Sequence, residues 1–218
     1  VKYGELCLRE NEIAYADPGF FRLFDFELLK GDRASCLSMP GQVVITERIA
    51  RKYFRDEEPM GKILVFNSNI GKVSCEVTGV MKEMPSNSHI HYNFLLSYKS
   101  LPKWVQEYWY KHETYTYVLL DSRERKEEIE RAFPGMAEKY KTEEALKNKT
   151  WGVRLVPLED IHLTPQLGYE AEQKGNRSAI IALVFAAVAI LVIAWINYIN
   201  LTVARSMERA KEVGVRRV

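Results

Sequence analysis

The 218-residue chain holds few of the residues that usually carry chemistry. Its three cysteines, Cys7, Cys36 and Cys75, are widely spaced, odd in number and include no CxxC pair, which argues against structural zinc and a dithiol redox centre. Around Cys75 the strand-like stretch Val73 to Val77 favours a small buried residue over half of a disulfide. No GxSxG elbow, Walker loop, HExxH pair or post-strand GxGxxG is present, and no Cys/His dyad context. The carboxylate pairs Glu57-Glu58 and Glu127-Glu128 sit in ordinary surface contexts. His89 and His91 would share a strand face, yet no Cys, Asp or Glu stands at a recognised spacing to complete a metal site. The expected catalytic, cofactor-binding and metal residues are therefore none. A dominant charge is also missing, since 31 Lys and Arg oppose 29 Asp and Glu for a net +2. Without a basic stripe interleaved with aromatics, no nucleic-acid partner is expected.

What the chain does have is a long uncharged run, Ala179 to Ala204, whose polar groups Asn197, Tyr198, Asn200 and Thr202 all fall in its last third. As a helix it reaches roughly 39 Å, against about 30 Å of bilayer hydrocarbon. The run predicts a transmembrane helix. Its place near the C-terminus separates it from a secretory signal. The flanks orient it: Arg205, Arg209, Lys211, Arg216 and Arg217 against Glu208 and Glu212 leave the tail at +3, whereas residues 1–178 sum to −1. Because Lys and Arg collect on the cytoplasmic side, residues 1–175 are expected outside the cytoplasmic membrane and the tail inside. Both ends read as cut from a longer protein.

Along the outer part, Glu5 to Arg9 and Glu12 to Ala16 alternate as strands, and Asp17-Pro18 opens a helical turn over Gly19 to Phe24. Phe20, Phe21, Phe24 and Phe26 suit core packing better than a ligand box, and Phe26 to Leu29 reads as a strand. A short helical piece over Arg33 to Ser38 precedes the strand Gln42 to Ile45. Thr46 then caps a helix that turns Ile49, Ala50, Tyr53 and Phe54 inward. Lys62 to Phe66 and Val73 to Met84 are strands joined by a hairpin at Asn67 to Gly71. Phe94 to Ser97, Glu113 to Leu120 and Trp151 to Pro157 complete the strand set, with Ser122 to Lys147 helical and interrupted or kinked at Pro134. The aromatic region Leu101 to Tyr110, with Trp104, Tyr108, Trp109 and Tyr110, reads as a packing edge, with a sugar or peptide platform as the other option.

The run FFRLFDFELLKGDRASCLSMPGQVVITERIARKYFRDEEPMGKILVF resembles the start of the periplasmic core domain of MacB/FtsX-type ABC transporter permeases, especially those abundant in Bacteroidetes. TYTYVLL, DIHL, INYINLTVARS and ERAKEVGVRRV resemble the same family in the same order. The resemblance implies an α+β fold: a two-lobed mixed extracytoplasmic domain over 1–175, one long transmembrane helix over 176–206, and a cytoplasmic coupling segment over 207–218. It further implies a four-helix permease whose outer domain lies between the first two helices, acting as a dimer with a separate or fused cytoplasmic ATPase. No catalysis of its own is implied.

On that resemblance the tail is similar to a coupling segment that docks on the ATPase, with Arg209, Lys211, Glu212, Gly214, Arg216 and Arg217 as the candidate residues. The same cations would also serve topology and lipid headgroups alone. Within the span Asn197 and Asn200 share a face, as helix-to-helix hydrogen bonding would require. The expected partners are an ATP-binding subunit, a second permease chain as homodimer or heterodimer, a periplasmic adaptor or outer-membrane protein, and the bilayer. The expected role is export or mechanical transmission by a permease subunit in the inner membrane. The alternative is a single-pass sensor with an extracytoplasmic ligand-binding domain.

Overall fold

Four consecutive β-branched residues in QVVIT make Gln42–Thr46 (β5) a strand that can be buried on both faces, and the rest of the sheet is laid against it. The computed structural model describes residues 1–107, 114–140, 147–163 and 177–215. Contacts divide the chain into residues 1–155 and 156–218, each described by itself.

In the first unit the strands are Lys2–Tyr3 (β1), Leu6–Cys7 (β2), Ile13–Ala16 (β3), Leu28–Lys30 (β4), β5, Ile63–Ser68 (β6), Gly71–Met81 (β7) and Phe94–Ser97 (β8). They form one mixed sheet in the order β2-β1-β6-β7-β5-β8-β3, with β4 also paired to β7. β5 runs parallel to β7 and antiparallel to β8, and β3 runs parallel to β8. The hairpin between β6 and β7 pairs Ser68 with Gly71 across the two-residue loop Asn69-Ile70.

Two cores result. Val43 and Ile45 face one side, where Glu47–Phe54 (α2) delivers Ile49, Ala50, Tyr53 and Phe54 against Leu64, Phe66, Val77 and Phe94. Val44 faces the other, against Phe21 of Phe20–Leu23 (α1), Cys36, Leu37, Met81 and Leu95. Val43, Val44, Ile45, Leu64, Val77 and Phe94 are fully buried. The Phe66 and Phe94 rings meet edge-on at 5.5 Å. Of the phenylalanines around α1, Phe21 is core as predicted, Phe20 and Phe26 are half-buried against that core, and Phe24 is half-buried with its ring on theirs.

A bulge lets β7 serve both β5 and β4. Val43 pairs with Val77 but Val44 with Gly79, so Thr78 is the extra residue. Its hydroxyl donates to the Cys36 carbonyl at 2.7 Å. Gly31, at φ +97°, is required beside it, because a Cβ there would sit 2.4 Å from the Thr78 carbonyl oxygen.

α2 begins as its sequence predicts: the Thr46 hydroxyl accepts from Ile49 N–H at 3.4 Å. It ends at Arg55, a non-glycine residue at φ +54°. Lys103–Gln106 (α3) and Arg125–Tyr140 (α4) lie outside the sheet. Pro134 sits inside α4 rather than breaking it, on an exposed position. The second unit contains a 3-10 turn over Leu158–Leu163 and one long helix, Arg177–Val215 (α5).

Four local expectations fail. Residues 114–120 and 151–157 join no strand ladder among the described residues, because alternation makes a strand only where a partner edge is offered. His89 and His91 lie on the irregular link 82–93, not on a strand. Residues 33–38 form turns rather than a helix, with Cys36 N–H bonded to the Asp32 carbonyl at 2.9 Å.

Candidate functional site

The first candidate is the surface of α5. Within Ser178–Met207 an 18-residue stretch has a mean hydropathy of 3.1 and no buried residue. Leu183, Phe185 and Ile190 are 70 %, 71 % and 66 % exposed. A core helix hides one stripe, whereas these side chains point outward all round. Thirty residues of helix reach about 45 Å, enough to cross roughly 30 Å of hydrocarbon.

Polar groups on α5 are handled in two ways. The Thr202 hydroxyl donates to the Tyr198 carbonyl at 2.8 Å, within its own helix. Asn197 and Asn200 are exposed three residues apart, and neither amide meets a partner among the described residues. The helix continues without interruption past Met207 to Val215, so Arg209, Lys211, Glu212 and Gly214 are helical, with Arg209 exposed. Arg216 and Arg217 lie outside the described residues, as do Tyr108, Trp109 and Tyr110 of the aromatic region; Trp104 on α3 is 59 % exposed.

The second candidate is a cleft of about 350 Å³ at the N-terminal end of α2, lined among others by Glu12, Thr46, Arg48, Glu83, His91 and Asn93. Glu83 accepts the Arg48 backbone N–H at 2.7 Å, placing a carboxylate on the positive end of the helix. The Arg48 guanidinium donates to Asn93 Oδ1 at 2.8 Å and lies 3.7 Å from Glu12. Asn93 Nδ2 donates to Glu12 Oε2 at 2.5 Å, and Asn93 N–H to the Glu12 carbonyl at 2.8 Å. Glu12 itself stands at φ +58°. The cleft ties the starts of β3, α2 and β8 together. Arg48 and both carboxylates are already engaged there, so the arrangement holds structure rather than a poised acid or base. Reading the sequence could not find it: Glu12 and Asn93 are 81 residues apart, and only the Thr46 cap gave a local signal.

Titratable groups elsewhere are similarly committed. Burial pushes the Cys36 and Cys75 thiols up to about 11, well away from a reactive thiolate. All three cysteines are unpaired, with Cys7 exposed. The Tyr53 hydroxyl donates to Glu10 at 2.9 Å, and burial followed by that carboxylate raises its phenol far above the usual value. Tyr117 is raised to about 12, mainly by burial. Its hydroxyl lies 3.0 Å from His89 Nε2 and its ring stands edge-on to Phe24 at 5.0 Å. Among the described residues no three His, Cys, Asp or Glu side chains converge on a metal-sized point.

The family described as MacB-like periplasmic core domain matches residues 1–135. Among solved structures, a domain of a Porphyromonas gingivalis protein designated a permease is 24 % identical, with 66 % of each chain covered and a TM-score of 0.49. The periplasmic region of MacB from Actinobacillus actinomycetemcomitans is 16 % identical, with 56 % of this chain and 53 % of that one covered and a TM-score of 0.35. The chain thus spans just under two thirds of the first structure and about half of the second. No curated protein matches.

Proposed function

The chain belongs to the MacB-like periplasmic core domain family, and from that premise we propose that it is part of an ABC transporter permease subunit, acting in the inner membrane to carry ATPase-driven motion to or from its outer domain. The observation that carries this reading is the joining, in one chain, of a family-matched sheet domain to a helix that is apolar on every side and continues unbroken into a cationic end. On this reading residues 1–175 are periplasmic, 176–206 cross the bilayer and 207–218 begin the cytoplasmic coupling segment. The subunit is not itself an enzyme; a cytoplasmic ATP-binding partner hydrolyses ATP, and two permease chains pair as homodimer or heterodimer. An adaptor or outer-membrane protein completes the periplasmic side, and the output is export or mechanical transmission.

Two sets of residues are assigned roles. Asn197 and Asn200 face a neighbouring membrane helix. At 100° per residue they share one side of α5 with Ala182, Ala186 and Ala204, whose small side chains allow close backbone approach. Interhelical amide bonds of this kind contribute about 0.6–2 kcal/mol each. Arg209, Lys211, Glu212, Gly214, Arg216 and Arg217 contact the ATPase: the cations pair with an acidic rim, and Gly214 admits close contact. A helical link between span and contact residues favours this role, because a shift at one end is not absorbed by a hinge before Val215.

The test is ATPase stimulation in the full-length permease with its ATP-binding subunit. Replacing Arg216 and Arg217 by Glu should abolish stimulation while membrane insertion stays normal; unchanged stimulation would remove the coupling role.

A further inference from the structure

We propose that α5 has a fixed lipid-facing side, the stripe Val184, Val188, Leu191, Trp195, Tyr198 and Arg205, and that Arg205 holds the headgroup of an anionic phospholipid next to the two aromatic rings. The inference rests on the membrane reading of α5 and adds to it which way the helix is turned about its own axis.

Members of the stripe follow one another at four, three, four, three and seven residues. At 100° per residue all six therefore fall within an arc of about 100°. The centre of that arc lies about 160° from the side shared by Ala182, Ala186, Asn197, Asn200 and Ala204. Size separates the two sides, since alanines let a neighbouring backbone come close and the broad side chains of the stripe hold it off. Polar groups separate them again. Thr202 lies on the stripe's side, and its hydroxyl donates to the Tyr198 carbonyl at 2.8 Å within the same helix, so it asks nothing of its surroundings. The Asn197 and Asn200 amides, on the other side, meet no partner among the described residues. Hydrocarbon offers their donors and carbonyls nothing, so that side belongs against protein.

The end of the stripe matches the layered chemistry of a bilayer. Counted from Ala179 at 1.5 Å per residue, about 30 Å of hydrocarbon ends near Ile199. Trp195 and Tyr198 then stand at the boundary, where amphipathic rings gather. Arg205 lies roughly 9 Å beyond, and helical side chains lean back toward the N-terminus, which brings its guanidinium into the headgroup layer. Its fork of N–H donors fits phosphate oxygens, and its charge favours a lipid with net negative charge.

The experiment reads Trp195 fluorescence in the full-length permease reconstituted into vesicles, with phosphatidylcholine brominated along its acyl chains as quencher. Subtracting the signal of Trp195→Phe removes the other tryptophans. Trp195 should lose most of its intensity. In the Trp195→Phe, Asn197→Trp variant the probe changes depth by only about 3 Å but moves to the opposite side, so quenching should be slight. If that variant does not assemble, Trp195→Phe, Ile193→Trp puts the probe on the same side in place of a residue that is already large. Quenching at 197 or 193 that equals or exceeds that at 195 would overturn the facing while leaving the span intact. Absence of quenching at every position would instead remove the membrane reading. For the headgroup, phosphatidylglycerol carrying the same bromines at the same mole fraction should quench Trp195 more than phosphatidylcholine does. Arg205→Gln should lower that enrichment about fivefold, the effect of one cation at an anionic surface. Equal quenching by the two lipids, or an enrichment that Arg205→Gln leaves unchanged, would overturn the headgroup assignment.

Discussion

The sheet domain and α5 use the same aliphatic and aromatic residues in opposite ways. In β5 and β8, Val43, Val44, Ile45 and Phe94 are wholly buried; along α5, Leu183, Phe185 and Leu191 are 62–71 % exposed. The first set is protected by its own chain, where each buried side chain contributes roughly 1.5–3 kcal/mol. The second set requires another apolar medium, and its even exposure around the helix identifies a surface made for lipid or for neighbouring helices. What distinguishes the two regions is burial, not hydrophobicity: β5 and β8 are covered on both faces by their own chain, while α5 has no polar side until Asn197 and no covered side either.

This contrast can be broken most strongly by making one change in both places. Phe94→Ala should lower the stability of the sheet domain by about 3–5 kcal/mol in urea denaturation, whereas Phe185→Ala should leave it within about 0.5 kcal/mol. If both cost the same, α5 is a core helix and the membrane reading fails. A charge sharpens the comparison next. Leu191→Arg should weaken bilayer insertion by about 2.5–3.5 kcal/mol, read as the fraction of chain extracted by alkaline carbonate, without moving the denaturation midpoint of the sheet domain. Within the sheet domain, Gly31→Ala should cost about 1–3 kcal/mol. It forces a left-handed backbone on a residue with a Cβ and drives that Cβ into the Thr78 carbonyl. Thr46→Ala should have the smallest effect, about 1 kcal/mol, through the lost α2 cap, and no effect on insertion. A full-length chain in which Thr46→Ala also altered membrane partition would show that the two regions are not energetically separate.

Much of this was legible in the sequence, for reasons that differ by region. The span was plain because an uncharged run of its length has few soluble explanations. α2 was plain because a capping threonine and an inward stripe at i, i+1, i+4 and i+5 are both local signals. Strands β5 to β8 announced themselves by apolar runs and by the Asn-Ile turn with its following glycine. Residues 114–120 and 151–157 carry equally good alternation and are not strands, because ladder formation depends on a partner edge that alternation cannot report. The HxH pair misled for the related reason that its two-residue spacing has meaning only on extended backbone. The polar cluster of Glu12, Arg48, Glu83 and Asn93 was invisible, since it is assembled from the residue before β3, from α2 and from the two ends of the link 82–93. Of the proposed coupling residues, the sequence could supply charge and resemblance; that the segment through Val215 is helical is a property of the fold.

The distribution of the thiols has a practical consequence. With Cys36 and Cys75 sealed in the two cores, and both held well above the thiolate range, Cys7 is the sulfhydryl that a maleimide can reach on the native protein. It stands on β2, at the rim of the sheet and one strand from β6. A single fluorophore or spin label placed there would need no cysteine-free background. It would provide a fixed reference from which distances to labels introduced elsewhere in the chain could be followed.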